Sequence, residues 1–260
     1  GLVFATAFYL VGLGYYALDA LAEFSIALGA EAGVLVSALA VLFGAGFTVL
    51  NVTGTENAAK LQNGIVALLL SMLVVFLLFG LFDAVGIVDA GTPPGEAADV
   101  WEIVPIMSVA ALVFTSYLGF AQVATVAGEM RRPGRNLPLA MIGSVVIVTV
   151  LYVLTIFVAT NVFDRAALAE AGETAMVDVG RELLGTGGAL VIILGGLLAT
   201  MSSANASILS TSRAIYGVSK DALLPKRASE INLKYGTPHV ALGMAGGPII
   251  ALAATRQVQL

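Results

Sequence analysis

The sequence has no cysteine, one histidine and one tryptophan among 260 residues, and only 11% of it is charged. Without cysteine there are no disulfides, thiolate metal sites or cysteine nucleophiles. The single histidine, His239, excludes a His-Glu-x-x-His metal motif, and no nucleophile elbow or phosphate loop occurs. Paired carboxylates are missing from the apolar segments as well. No enzymatic activity, metal, cofactor or nucleic-acid partner is therefore expected. A soluble domain carries about 25% charged residues, so the scarcity of charge also argues against a soluble fold.

What the chain has instead is long charge-free runs. They cover 1–18, 32–55, 61–82, 103–128, 136–163, 183–212 and 240–255, in a chain that is 59% apolar with mean hydropathy +0.98. About 20 helical residues cross a hydrocarbon core about 30 Å thick. The five middle runs are each long enough, and the first and last read as truncated spans. The expectation is an all-α polytopic helical bundle in one transmembrane domain over 1–260. Its spans are placed near 1–28, 32–55, 59–82, 103–129, 137–162, 184–214 and 239–255. Gly1 is not a start methionine, no basic leader precedes the first apolar run, and Leu260 follows Arg256 and Gln257 without a tail. An internal slice of a longer membrane protein, with no signal peptide, is the expectation.

The few charges are unevenly placed. Nine of the twelve basic residues fall in alternate connections: Lys60; Arg131, Arg132 and Arg135; then Arg213, Lys220, Lys226, Arg227 and Lys234. The intervening connections are acidic, with Asp83, Asp89, Glu96, Asp99 and Glu102 in one and Asp164, Glu170, Glu173, Asp178 and Glu182 in the other. By the positive-inside rule, loops 56–60, 130–136 and 215–238 are cytoplasmic, and loops 83–102 and 163–182 are external. Trp101 then belongs to the outer interface. Asn136 is read as a helix N-cap with Pro138 in the following first turn, and 170–178 as a short external helix.

One stretch, FTSYLGFAQVATVAGEMRRPGRNLP over 114–138, departs from the apolar pattern. Thr115, Ser116, Gly119, Gln122 and Thr125 interrupt a membrane-length segment that ends in three arginines between two prolines. Non-helical backbone at bilayer depth is tolerated only against protein or a water-filled cavity, so the stretch predicts a discontinuous helix lining a substrate path. Thr115, Gly119 and Gln122, at helical spacing, also fit a polar stripe joining helices. Arg131, Arg132 and Arg135 read either as gating elements or as topology determinants. A second polar cluster holds Thr200, Ser202, Ser203, Asn205, Ser207, Ser210, Thr211 and Ser212, which suits either close helix packing or oxygen ligation of a cation.

Three stretches carry a resemblance to the amino acid–polyamine–organocation superfamily of amino acid permeases. YLGFAQVATVAGEMRRPGRNLPLA resembles the family's sixth helix, inner loop and start of the seventh. GGLLATMSSANASILSTSRAIYGVSKDALLP resembles the eighth helix and following loop, and LVGLGYYA is similar to the outer half of the third. The resemblance runs from helix three into helix nine of a five-plus-five inverted-repeat fold. It implies a secondary transporter in the plasma membrane that moves amino acids by alternating access, coupled to protons or sodium or acting as an exchanger. Carried over by position, Thr115, Ser116, Tyr117, Leu118, Gly119, Phe120 and Gln122 would bind substrate, and Ser202 and Ser203 would border a sodium site. Many relatives carry an acid where this chain has Ala121, and some carry a lysine near the position of Leu69, so the coupling ion stays open, as does the oligomeric state. The alternatives are a non-transporting scaffold or receptor, or a channel-like protein, although a channel favours symmetric pore rings and this chain has one asymmetric break.

Overall fold

The computed structural model describes residues 1–23, 31–87, 103–162, 168 and 175–255. Every regular element among them is helical. We number the α-helices α1 (Leu2–Glu23), α2 (Ala32–Thr53), α3 (Thr55–Ala84), α4 (Ile103–Ser116), α5 (Pro133–Val162), α6 (Ala175–Lys220) and α7 (His239–Thr255). Two 3-10 segments, Leu118–Glu129 and Lys226–Ser229, complete the order. Five stretches are long and apolar enough to cross a membrane: Leu2–Leu21, Ala32–Thr53, Lys60–Ala84, Pro133–Val162 and Ala175–Lys220. The protein is an all-α polytopic membrane protein.

The chain divides into two compact units, one of Gly1–Val75 with Ala189–Leu260 and one of Phe76–Gly188. In the first, α1, α2, α7 and the later part of α6 share a core containing Leu10, Val36, Phe47, Ile208, Leu242 and Ile249. The buried residues of α2, namely Val36, Ala40, Gly44, Phe47 and Asn51, recur every three or four positions and so form one face. Opposite that face, Leu42 and Val49 are exposed, as suits a helix solvated by lipid.

Small residues set how closely these helices approach. A Cβ on Gly246 of α7 would lie 2.5 Å from Thr48 Oγ1 of α2, and one on Gly14 of α1 would lie 2.9 Å from the Val36 carbonyl oxygen. Where lipid is as apolar as leucine, close backbone approach of this kind replaces the hydrophobic drive as the source of helix association. In the second unit, Gly80 of α3 plays the same part against Val158 of α5.

Several helix bounds differ from the sequence expectation. Residues 56–60, expected as a loop, are the first turns of α3, and the connection from α2 is Gly54 alone. No glycine or proline lies between Thr55 and Leu61 to stop the helix. Helix α5 begins at Pro133 rather than 137. A proline suits a first helical position because its missing N–H has no partner there anyway. Asn136 is consequently inside the first turn and not the cap; its Nδ2 donates back to the Arg131 carbonyl. Helix α6 runs past 214 to Lys220, and the stretch from Ala175 is two helical pieces joined across non-helical backbone at Leu184 and Gly185 (φ 63°), beside the expected span start at 184. Glycine accepts that left-handed φ without the Cβ clash other residues meet, and the break divides a 46-residue stretch that would run about 69 Å if straight. The last residues of the span expected at 1–28, most of loop 83–102 with Trp101, and most of 163–174 lie outside the described residues.

Candidate functional site

In the second unit, the apolar segment that starts at Ile103 stops being α-helical after Ser116. Tyr117 has φ −90° and ψ 0°, in the bridge region sparsely used by regular structure. Its N–H bonds the Phe114 carbonyl at 3.1 Å, the i→i−3 pattern that opens the 3-10 segment Leu118–Glu129. Tighter winding of this length is uncommon, and inside a helical stretch it marks strain or a hinge. Thr115 and Ser116 therefore close α4, while Leu118, Gly119 and Phe120 lie in the first turn of the 3-10 segment. Gly119 is exposed, and a Cβ there would meet nothing within 4 Å. Gln122 is half-buried, with its carbonyl accepting the Thr125 hydroxyl at 2.7 Å.

Tyr117 is the best-defined side chain at the break. Its hydroxyl lies 2.8 Å from Thr149 Oγ1, and Thr149 Oγ1 itself donates to the Val145 carbonyl at 2.8 Å. A threonine has a single hydroxyl proton, so the Tyr117 hydroxyl is the donor. The Tyr152 ring stands edge-on to Tyr117 at 5.5 Å between centroids. Thr149 and Tyr152 are three residues apart on α5 and share a face. Sequence reasoning missed both; the signal was a hydroxyl and an aromatic at helical spacing inside a charge-free run. Past the 3-10 segment, Arg131, Arg132 and Arg135 are all exposed. Arg132 has φ 52°, and its carbonyl accepts the N–H groups of Arg135 and Asn136, which turns the chain into α5.

The hydroxyl cluster of α6 belongs to the first unit. Three of its members bond back to their own helix: Thr200 to Gly196 and Leu197, Thr211 to Ser207, Ser212 to Leu209. Ser202 does not. It accepts from Gln62 Nε2 of α3 at 2.5 Å, and Gln62 Oε1 accepts from Asn205 Nδ2 at 3.1 Å. Asn205 Oδ1 in turn accepts from Asn51 Nδ2 of α2 at 2.8 Å. A chain of amides thus joins α2, α3 and α6, with Asn51 and Asn205 buried. Ser203 is half-buried beside it. Gln62 and Asn51 were not singled out from the sequence. Among the described residues, no group of three or more His, Asp or Glu side chains could hold a metal ion.

The amino acid permease family model matches residues 2–252. The chain belongs to that family. Among its relatives, an uncharacterized transporter of Mycobacterium tuberculosis is 28% identical over 226 residues, which are 85% of this chain and 49% of that protein. A branched-chain amino acid permease of Bacillus subtilis is 30% identical over 142 residues, 54% of this chain and 30% of its own length. A methylthioribose transporter of the same organism is 25% identical over 209 residues, 74% and 42% of the two chains. The chain spans half or less of the length of the curated relatives it matches.

Proposed function

We propose that the chain belongs to a secondary transporter that carries neutral amino acids across the plasma membrane by alternating access. The observation that carries this reading is the end of α-helical winding at Tyr117, within an apolar segment of a permease-family chain. At such a break, backbone N–H and C=O groups are released from α-helical bonding and can meet the carboxylate and amino groups of a substrate. Gly119, open on its Cβ side, leaves room for a ligand to approach the main chain, and Tyr117 offers a ring held in place from α5. Thr115, Ser116, Leu118, Phe120 and Gln122 complete the proposed lining.

The lining residues carry no charge, which favours a substrate whose side chain is neutral. A branched-chain amino acid permease among the relatives supports that class. Transport is driven by a sodium or proton gradient or by exchange, with Ser202 and Ser203 the proposed border of a sodium site. Loops rich in lysine and arginine face the cytoplasm in this reading. The test is uptake of a panel of labelled amino acids by the full-length protein in proteoliposomes, under imposed sodium or proton gradients. Accumulation of one or more neutral amino acids is expected; absence of uptake for the whole panel would overturn the reading.

A further inference from the structure

The connection from Lys220 to His239 is unusual in what it exposes. Leu223 is 76% exposed and Leu233 is 103% exposed, with Ile231 at 49%. These residues do not hang on a loose strand. The Asn232 N–H bonds the Thr237 carbonyl at 2.8 Å, and the Gly236 N–H bonds the Asn232 carbonyl at 2.7 Å. Asn232 Oδ1 accepts the Lys234 N–H at 2.9 Å. The loop so closed is pinned to its unit: the Thr237 hydroxyl, fully buried, donates to the Val52 carbonyl at 2.8 Å. Ser219 Oγ donates to the Pro225 carbonyl at 2.8 Å, and Ala228 is fully buried. A fold that spends this many bonds on a short turn and still projects a leucine wholly outward holds that leucine for a partner.

The charge around it indicates which partner. Lys220, Lys226, Arg227 and Lys234 outnumber Asp221 and Glu230, and all six side chains are exposed. Both flanking helices are apolar, and the apolar helix α7 starts immediately after the loop, at His239. The loop is therefore beside lipid headgroups. Exposed apolar side chains among basic ones are the composition that seats a segment in an anionic interface: the leucines enter the acyl boundary while lysine and arginine meet phosphate.

We propose that the α6–α7 connection is a lipid-docking element, with Leu223 and Leu233 seated in the headgroup region of an anionic leaflet and Lys226, Arg227 and Lys234 on its phosphates. The proposal rests on α6 being a membrane span, and not on what the protein transports.

The experiment uses the full-length protein carrying a fluorophore on Leu233→Cys as its only labelled site. It is reconstituted in phosphatidylcholine, or in phosphatidylcholine mixed equally with phosphatidylglycerol, each with brominated acyl chains. The expected result is severalfold stronger quenching by the brominated chains in the anionic mixture. That difference disappears when Lys226, Arg227 and Lys234 are replaced by glutamine in the labelled protein, and shrinks at high salt as exposed charges are screened. Equal lipid quenching in both compositions overturns the proposal. So does quenching by aqueous iodide alone, or protection from both quenchers, which would mean that another segment of the protein covers Leu233. Because all four positions are exposed, the variants retain the core and the readout does not depend on transport.

Discussion

Asn51 of α2 and Asn205 of α6 meet through a 2.8 Å hydrogen bond although 154 residues separate them. Asn51 also donates to the Phe47 carbonyl at 2.8 Å, while its own Oδ1 is buried with no partner. Asn205 passes the network on to Gln62 and so to Ser202. The pair therefore ties together three helices through side chains that lipid cannot satisfy.

Asn205→Leu removes the acceptor for Asn51 and the donor for Gln62. Leaving buried polar groups unpaired costs about 1–3 kcal/mol, so the variant should unfold at lower temperature in detergent. The double variant Asn51→Leu/Asn205→Leu should recover part of the loss, because it also deletes the unpaired Asn51 oxygen. Thermal unfolding of both variants checks this; a double variant no more stable than Asn205→Leu alone would contradict it.

Gly246→Val should cost more than any exposed glycine substitution, since its Cβ would collide with Thr48 at 2.5 Å. Gly243→Val on the same helix is the control: nothing lies within 4 Å of a Cβ there. Monodisperse folded protein by size-exclusion chromatography should fall sharply for the first and hold for the second.

Tyr117→Phe and Thr149→Val each remove one end of the same hydrogen bond. If that bond orients the ring at the break, both should change the KM for uptake in the same direction by a few-fold, about 1 kcal/mol, and the double variant should be no worse than either single one. Additive effects would mean that the two residues act separately.

Ser202→Ala and Ser203→Ala should raise the sodium concentration needed for half-maximal uptake. Uptake driven by a pH gradient and indifferent to sodium would remove the proposed sodium role. Gln62→Leu provides a contrast, because it breaks the contact to Ser202 without deleting a hydroxyl.

The helical class was legible because charge is absent over runs of membrane length, and periodicity hardly matters when a helix is apolar on every side. The end of the α-helix near Thr115 to Phe120 was legible too, since two hydroxylic residues and a glycine cluster there against an apolar background. The start of α5 was not. Pro133 and Asn136 are both plausible helix starters, and what decides between them is the turn built on Arg132. The amide chain was illegible for a different reason. Asn51 and Gln62 lie at distant positions from Asn205, which the sequence shows only as one member of a hydroxyl-rich run, and only the packing of α2, α3 and α6 shows that each is another's partner. Thr149 and Tyr152 went unseen likewise, because their meaning depends on Tyr117 across the break.

The central claim is that the break after Ser116 lines the substrate path, and Gly119 tests it most directly. The open space beside its Cα means that Gly119→Val should insert and fold as the parent does. Uptake of the transported amino acid by the full-length Gly119→Val protein in proteoliposomes, measured beside its thermal stability, is the decisive comparison. The account predicts lost uptake with unchanged stability. Unchanged uptake in the folded variant would contradict it.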